Sequence, residues 1–404
     1  MIYLREKGLN DSKLFTSQNM SHESSSGIRI CIIGNQAFSL LNFRAPIIAE
    51  MVGSGCEVIA LAPDFDDASS AEVRAIGAEP VGYSLSRTGM NPFRDAADIL
   101  RLAFILRRLG PDMTFAYAPK PVIYGTLAAW LARVPQRYAL ITGLGYAFAP
   151  PVGSESMKRR FLRDIVIRLY KAALKRADKV FFQNEDDREL FISAGAVSAG
   201  RSIRVNGTGV DLHRWSPAPP VSNCGVTFLL AARLLREKGV VEFVEAARLV
   251  KEAHHEVRFI LLGGLDTNPG ALSSAEIGSW VAEGIVDWPG HVPDVRPWLA
   301  EASVFVLPSY YREGVPRSIQ EAMAMARPII TTDAPGCRDT VIDGNNGFLI
   351  PVRSAEALAA AMERFVLQPE LIDSMGQASR RMAEERFDAR EINQAILREM
   401  GISD

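Results

Sequence analysis

Short runs of β-branched and other apolar residues alternate with longer helical stretches along nearly the whole chain, and that alternation leaves few folds open. Parallel sheets need a crossover between successive strands, so strand–helix alternation is their signature. In the first half, "IRICIIG" (28–34), "EVIALAP" (57–63), "MTFAYAP" (113–119), "YALITG" (138–143) and "KVFFQN" (179–184) read as buried strands. A second series, "VTFLLAAR" (226–233), "VRFILLG" (257–263), "SVFVLPS" (303–309) and "RPIITT" (327–332), follows the proline-rich stretch "PAPPVSN" (217–223), which reads as a linker. A chain of 404 residues exceeds the usual size of one hydrophobic core. The expectation is therefore α/β, with two facing Rossmann-like doubly wound domains. The expected parts are a disordered leader (1–26), a first domain (27–212), a linker (213–225), a second domain (226–384) and a last helix (385–404) crossing back to the first. Such domains present binding loops at the C-terminal ends of their strands.

Composition removes several functions. The net charge of −2, with 23% charged and 48% hydrophobic residues, gives no reason to expect nucleic acid as a partner. The four cysteines, Cys31, Cys56, Cys224 and Cys337, form no C-x-x-C pair, which favours a reducing cytoplasm over a disulfide framework. The five histidines fall in no ligand spacing, so no protein-built metal site and no cofactor are expected. Residues 1–26 are polar and lack a signal-peptide core, and Met20 offers a second start. No apolar run approaches the ~18–20 residues needed to span a bilayer.

Two loops carry candidate chemistry. The first strand ends at a lone Gly34 where a dinucleotide site would want G-x-G-x-x-G, which argues against a nicotinamide or flavin enzyme. Asn35 and Asn42 beside it offer polar contacts to a ligand. The second loop is "YYREGVPRSIQEAMA". Pro316 suits a first helical position, because it has a fixed φ and no N–H to lose. Glu313 and Gly314 then lie in the approach, and Glu321 sits five residues past Pro316, roughly 7–8 Å along the axis. The helix start carries partial positive charge between the two carboxylates. An anion can bind there with a hydroxyl-recognising carboxylate on either side, which is the layout of a sugar nucleotide.

Three segments taken together, "GTGVD" (207–211), "AARLLREKGV" (231–240) and "YREGVPRSIQEAMA", resemble the retaining glycosyltransferases of family 4, which have the two-Rossmann GT-B fold. The resemblance implies that Glu313 holds hydroxyls of the transferred sugar and Glu321 the nucleotide ribose. It matches Arg233 and Lys238 to the basic pair on the donor pyrophosphate, and Gly314 and Val315 to backbone donors for the distal phosphate. Leaving-group charge would be stabilised where it develops, with no magnesium required. Pro316 stands where many members have glycine, and so does Ala326. The family's active-site histidine has no match in "ITGLGYAF" (141–148), where backbone groups of Thr142, Gly143 and the residues up to Gly145 take its place. The resemblance also implies same-face attack, with the departing phosphate accepting the acceptor's proton.

"SLLNFRAP" (39–46), with the glutamate loop, looks like the subgroup that extends undecaprenyl-diphosphate-linked sugars. "MKRRFLRDIVIRLYKAALKRADK" (157–179) carries nine basic and two acidic residues, with Phe161, Leu162, Ile165, Val166, Leu169 and Ala172 at helical spacing. Its basic flank, including Arg159, Arg160 and Arg163, is expected on an anionic membrane surface, and "RLAFILRRLG" (101–110) is a shorter basic-apolar segment. The expected function is transfer of a sugar, an N-acetylhexosamine or a hexose, from a nucleotide-diphosphate donor to a lipid-linked saccharide. That transfer would take place on the inner face of the cytoplasmic membrane, in surface-polysaccharide assembly. The alternatives are a nucleotide-sugar 2-epimerase of the same fold, which would turn over without an acceptor, and a non-catalytic scaffold.

Overall fold

The computed structural model describes residues 27–85, 92–145, 148, 157–217, 225–266, 268 and 270–403, apart from the side chains of Lys158 and Arg159. The leader (1–26) and most of the proline-rich stretch (218–224) lie outside these residues, as do residues 146 and 147 of the "ITGLGYAF" loop.

Thirteen strands are described: β1 Arg29–Ile33, β2 Glu57–Ala62, β3 Glu79–Gly82, β4 Met113–Tyr117, β5 Gln136–Ile141, β6 Lys179–Phe182, β7 Ser202–Arg204, β8 Thr227–Ala231, β9 Arg258–Leu262, β10 Asp287–Gly290, β11 Val304–Leu307, β12 Ile329–Thr332 and β13 Gly347–Ile350. They form two sheets, ordered β3-β2-β1-β4-β5-β6-β7 and β10-β9-β8-β11-β12-β13. The neighbours of β1 and β8 pair parallel in register. All nine strands expected from sequence are present. The four that were not expected, β3, β7, β10 and β13, are the four sheet edges. An edge is covered less completely, so it needs no continuous apolar run: β3 reads EPVG and β10 reads DWPG, each with a proline a central strand would not tolerate.

By contrast β8, TFLLA, is buried at every position, because helices cover both faces of its sheet. Phe228 and Leu230 point to one cluster with Phe243, Phe259 and Phe365, and Leu229 and Ala231 to another with Phe305, Ile319 and Phe387. The period-2 alternation of a strand divides its side chains this way.

Contacts divide the described residues into two compact units, those within 27–139, 176–178 and 393–403, and those within 140–175 and 179–392. The last helix, Ala389–Met400, contributes its end to the first unit: Asn393 Nδ2 donates to Glu50 Oε1 at 3.0 Å, and Tyr138 Oη donates to the Met400 carbonyl at 3.2 Å.

Candidate active site

In the second sheet the chain runs outward from β8 to β10 and then returns to β8's other side as β11. The loops after β8 and β11 therefore leave adjacent strand ends on diverging paths, the place where doubly wound sheets bind ligands. The loop after β8 carries Arg233 and Lys238; the loop after β11 carries Ser309 and Glu313. The two loops touch. Gly239, at φ +76°, begins the Val240–Ala253 helix, and a Cβ there would come within 2.1 Å of the Pro308 carbonyl oxygen. The backbone N–H groups of Tyr310 and Tyr311 both donate to the Glu237 carbonyl at 2.9 Å.

This stitching sets Lys238 against Glu313. Their side chains form an ion pair in a largely buried setting, Ser309 Oγ donates to the same Glu313 oxygen at 3.1 Å, and Lys238 Nζ lies 5.4 Å from the centre of the Tyr311 ring. One cation and one carboxylate are thus held side by side at the sheet's switch point.

The glutamate loop is clamped from a third direction. Gly143 pairs with Glu313 in an isolated antiparallel bridge, and the N–H groups of Leu144 and Gly145 donate to the Arg312 carbonyl at 3.0 and 3.1 Å. Asn184 is wholly buried; its Nδ2 donates to the carbonyls of Glu313 and Gly314 at 3.1 and 3.0 Å, while its Oδ1 caps the Glu185–Ser193 helix through the Asp187 N–H. Asp187 in turn pairs with Arg312 at 2.7 Å. Gly314 has no room for a side chain, since a Cβ would fall 1.9 Å from Gln183 Oε1. That same oxygen accepts from the Val315 N–H at 3.4 Å, and Gln320 Nε2 donates to the Val315 carbonyl at 3.1 Å. Gln183 and Val315 also line a polar cavity of about 370 Å³ with Arg204, Asn206, Asp339, Arg386 and Phe387.

The helix that follows spans Arg317–Ala324, so Pro316 stands one position before it, at φ −59° and ψ 120°. Its φ is helical but its ψ is extended, which corrects the expectation of Pro316 at the first helical position. Glu321 pairs with Arg317 at 2.9 Å. Burial raises its carboxyl above the usual range, and the opposing pull of Arg317 and then Arg214 does not cancel the effect. Arg233 is exposed and pairs with Asp266 at 3.2 Å, a more open setting than that of Lys238. The carbonyl carbon of Thr142 would lie 2.9 Å from a Cβ on Gly314, so the 142–145 backbone does abut the glutamate loop.

The remaining candidates divide by unit. Gly34, Asn35 and Asn42 belong to the first. The Gly34 carbonyl accepts from Tyr83 Oη at 2.8 Å, and Asn42 Nδ2 donates to the Phe38 carbonyl at 2.9 Å. Arg160 is exposed and Arg163 half-buried on the Met157–Leu174 helix, and the side chain of Arg159 lies outside the described residues. Sequence reasoning missed Ser309, Gln183 and Asn184. Only Asn184 had a local signal, since an asparagine before "EDD" is a helix N-cap pattern.

A seven-stranded sheet in the order 3-2-1-4-5-6-7 and a six-stranded one in the order 3-2-1-4-5-6, both flanked by helices, define the GT-B fold of glycosyltransferases, and a lysine–glutamate pair stands at the switch point of the second. Two family models match: "Glycosyl transferase 4-like domain" over residues 44–209 and "Glycosyl transferases group 1" over residues 225–368. The Campylobacter jejuni N,N'-diacetylbacillosaminyl-diphospho-undecaprenol alpha-1,3-N-acetylgalactosaminyltransferase is 30% identical over 344 residues, covering 82% of this chain and 88% of that protein. The Escherichia coli UDP-Gal:alpha-D-GlcNAc-diphosphoundecaprenol alpha-1,3-galactosyltransferase is 25% identical, covering 67% and 70%. Among solved structures, Anabaena HepE in complex with UDP and glucose superposes at TM-score 0.72 with 18% identity, over 93% of this chain and 99% of that one. The chain belongs to this glycosyltransferase family, and it is an enzyme that transfers a sugar.

Proposed function

We propose that the enzyme moves a sugar, with retention and without a metal, from a nucleoside-diphosphate donor to an undecaprenyl-diphosphate-linked saccharide at a membrane surface. The observation that carries the donor reading is the Lys238–Glu313 pair at the switch point of the second sheet. A sugar nucleotide has hydroxyls on one side of its scissile bond and a phosphate on the other. A carboxylate and an ammonium fixed side by side fit that junction, Glu313 taking hydroxyls and Lys238 the phosphate. Arg233 adds charge from a more open position, and Glu321 takes the ribose. As the anomeric C–O bond breaks, its electron pair goes to the phosphate oxygen, which Lys238 stabilises. The acceptor hydroxyl attacks the same face and gives its proton to that oxygen, so no nucleophilic carboxylate is needed.

The acceptor reading is drawn from the two relatives, whose names specify diphospho-undecaprenol saccharides. A membrane-bound acceptor also gives a use to the basic flank of the Met157–Leu174 helix, with Arg159, Arg160 and Arg163, and to Asn42 as an acceptor contact. Among the described residues no helix is long and apolar enough to cross a membrane. The test is a panel of nucleotide sugars incubated with diphospho-undecaprenol saccharides in vesicles. The proposal requires an acceptor-dependent anomeric product that forms in the presence of a chelator. Nucleotide-sugar turnover that is independent of acceptor would point to the epimerase reading instead.

A further inference from the structure

The first sheet has a switch point of its own. The chain runs outward from β1 to β3 and returns to the other side of β1 as β4, so the loops after β1 and β4 leave adjacent strand ends on diverging paths. Register sets Ile33 against Ala116, which brings Gly34 beside Tyr117, the last residue of β4. A Cβ on Gly34 would fall 2.5 Å from Tyr117 Oη. Tyr117 is 2% exposed, and its hydroxyl, with Ser39 beside it, has no hydrogen-bond partner of good geometry among the described residues. An unpaired phenol thus stands between the two strand ends.

Both loops there are built from uncommon backbone. The two π-helical turns among the described residues, Leu40–Arg44 and Pro121–Gly125, follow β1 and β4. Ala118, directly after β4, holds φ +71°, a left-handed value that only glycine takes without cost. Such features collect at functional sites. They set Lys120 at the strand end. Its ammonium lies 3.8 Å from Asp95 and 5.8 Å from the centre of the Tyr124 ring. Asp95 and Tyr124 are buried side by side, whereas the Lys120 side chain keeps 19% of its surface. A buried carboxylate therefore orients an accessible ammonium from beyond hydrogen-bond reach. From the β1 side the Arg44 guanidinium lies 4.8 Å over the Tyr117 ring. The neighbouring carboxylates have donors of their own: Asp64 accepts from the Ala37 N–H, and Asp98 from Ser84 Oγ, each at 2.7 Å.

We propose that this crevice of the first unit takes the diphosphate of the acceptor, and that Lys120 is the cation that recognises it. The second sheet sets a lysine beside a carboxylate at its switch point, and the first does the same with Lys120 and Asp95. A lysine is a compact point charge that binds phosphate without demanding a two-pronged approach. Tyr117 Oη offers a further donor between the same strand ends. The inference rests on the diphosphate-linked acceptor reading and deepens it, because it assigns to one side chain the choice of such an acceptor over a saccharide without the diphosphate. A nucleoside diphosphate presents the same chemistry, so the experiment fills the donor site first.

The experiment is calorimetric titration of the full chain with geranyl diphosphate, a soluble prenyl diphosphate, in saturating nucleoside diphosphate product. Lys120→Met should weaken geranyl diphosphate binding about tenfold to a hundredfold, the worth of a charge-assisted contact, and leave nucleoside diphosphate affinity at the wild-type value. Lys120→Arg keeps the charge and should recover most of the loss. Lys120→Met with Asp95→Asn removes both charges together, so no buried carboxylate is left unpaired if the single variant fails to fold, and it should show the same loss. In steady-state kinetics with a short-chain prenyl-diphosphate saccharide, Lys120→Met should raise the acceptor KM and leave the donor KM unchanged, a split that a merely structural ion pair would not produce. Wild-type affinity for geranyl diphosphate in these two variants overturns the proposal. So does a wild type that binds no geranyl diphosphate once the donor site is filled, or a parallel loss of nucleoside diphosphate affinity. If the wild type binds geranyl diphosphate through Lys120 yet glycosylates no diphosphate-linked saccharide, the acceptor reading fails and the site stands. Transfer by Lys120→Met at the wild-type acceptor KM does the opposite, overturning the site and leaving the acceptor reading intact.

Discussion

The Asn184 carboxamide donates to the carbonyl oxygens of both Glu313 and Gly314, while its own oxygen caps the Glu185–Ser193 helix. One buried side chain thus fixes the backbone from which the candidate sugar-binding carboxylate projects. The two functions of Asn184 separate by mutation. Asn184→Asp keeps the cap, since aspartate caps as well as asparagine does. It also turns the paired donor into a carboxylate facing two carbonyls. Its kcat should fall by about fivefold to a hundredfold, given ~1–3 kcal/mol for a buried group left unpaired. Asn184→Ala should in addition lose about 1 kcal/mol of helix capping. Steady-state kinetics beside thermal melts check both, and wild-type kcat in Asn184→Asp would show that the clamp does not matter to transfer.

Lys238 and Arg233 stand in different surroundings, the first largely buried against Glu313 and the second exposed on Asp266. Lys238→Ala removes a charge-assisted contact of roughly 1.5–3 kcal/mol, so kcat/KM should fall about tenfold to a hundredfold. It should also lower Tm, because Glu313 is left without its cation. Arg233→Ala should cost less in rate and almost nothing in stability. Comparable losses in both variants would contradict the ranking.

Glu321 supplies a pH dependence whose sign is fixed. Burial raises its folded-state carboxyl above the unfolded value, so its contribution to stability is greatest at low pH and is lost as pH rises through the raised value. Glu321→Gln does not titrate. The Tm of Glu321→Gln minus that of the wild type should therefore become more positive between about pH 4 and pH 7. Melts across that range check it; a difference that shrinks with pH has the wrong sign.

Ala326 sits at φ +59°, two residues past the end of the Arg317–Ala324 helix. Left-handed backbone disfavours a Cβ by ~1–2 kcal/mol, which is why glycine is common at this position after a helix. Ala326→Gly should therefore stabilise the protein by about 1 kcal/mol at unchanged activity, as read by denaturant unfolding.

The central strands were legible because strands buried on both faces are written as unbroken apolar runs, as in "VTFLLAAR". The edge strands were not, because "EPVG" and "DWPG" carry the prolines and charges of exposed edges. Glu313, Lys238 and Glu321 were candidates from motif and helix spacing alone, and the structure brings Lys238 onto Glu313. Asn184 was not, because it meets Glu313 across 129 residues of sequence and its local pattern announces only a helix cap. The Lys238–Glu313 contact was equally hidden: it depends on β8 and β11 being neighbours, which is a property of strand order and not of either loop.

The central claim is a division of labour, with Glu313 on the transferred sugar and Glu321 on the ribose. Calorimetric titration of Glu313→Gln and Glu321→Gln with the nucleoside diphosphate product tests it most directly, because that product keeps the ribose and lacks the sugar. The account predicts that Glu321→Gln weakens product binding and raises the donor KM. Glu313→Gln should hold product affinity near the wild type while kcat falls, since contacts to the reacting sugar count most at the transition state. Equal loss of product affinity in the two variants, or full activity in both, would contradict it.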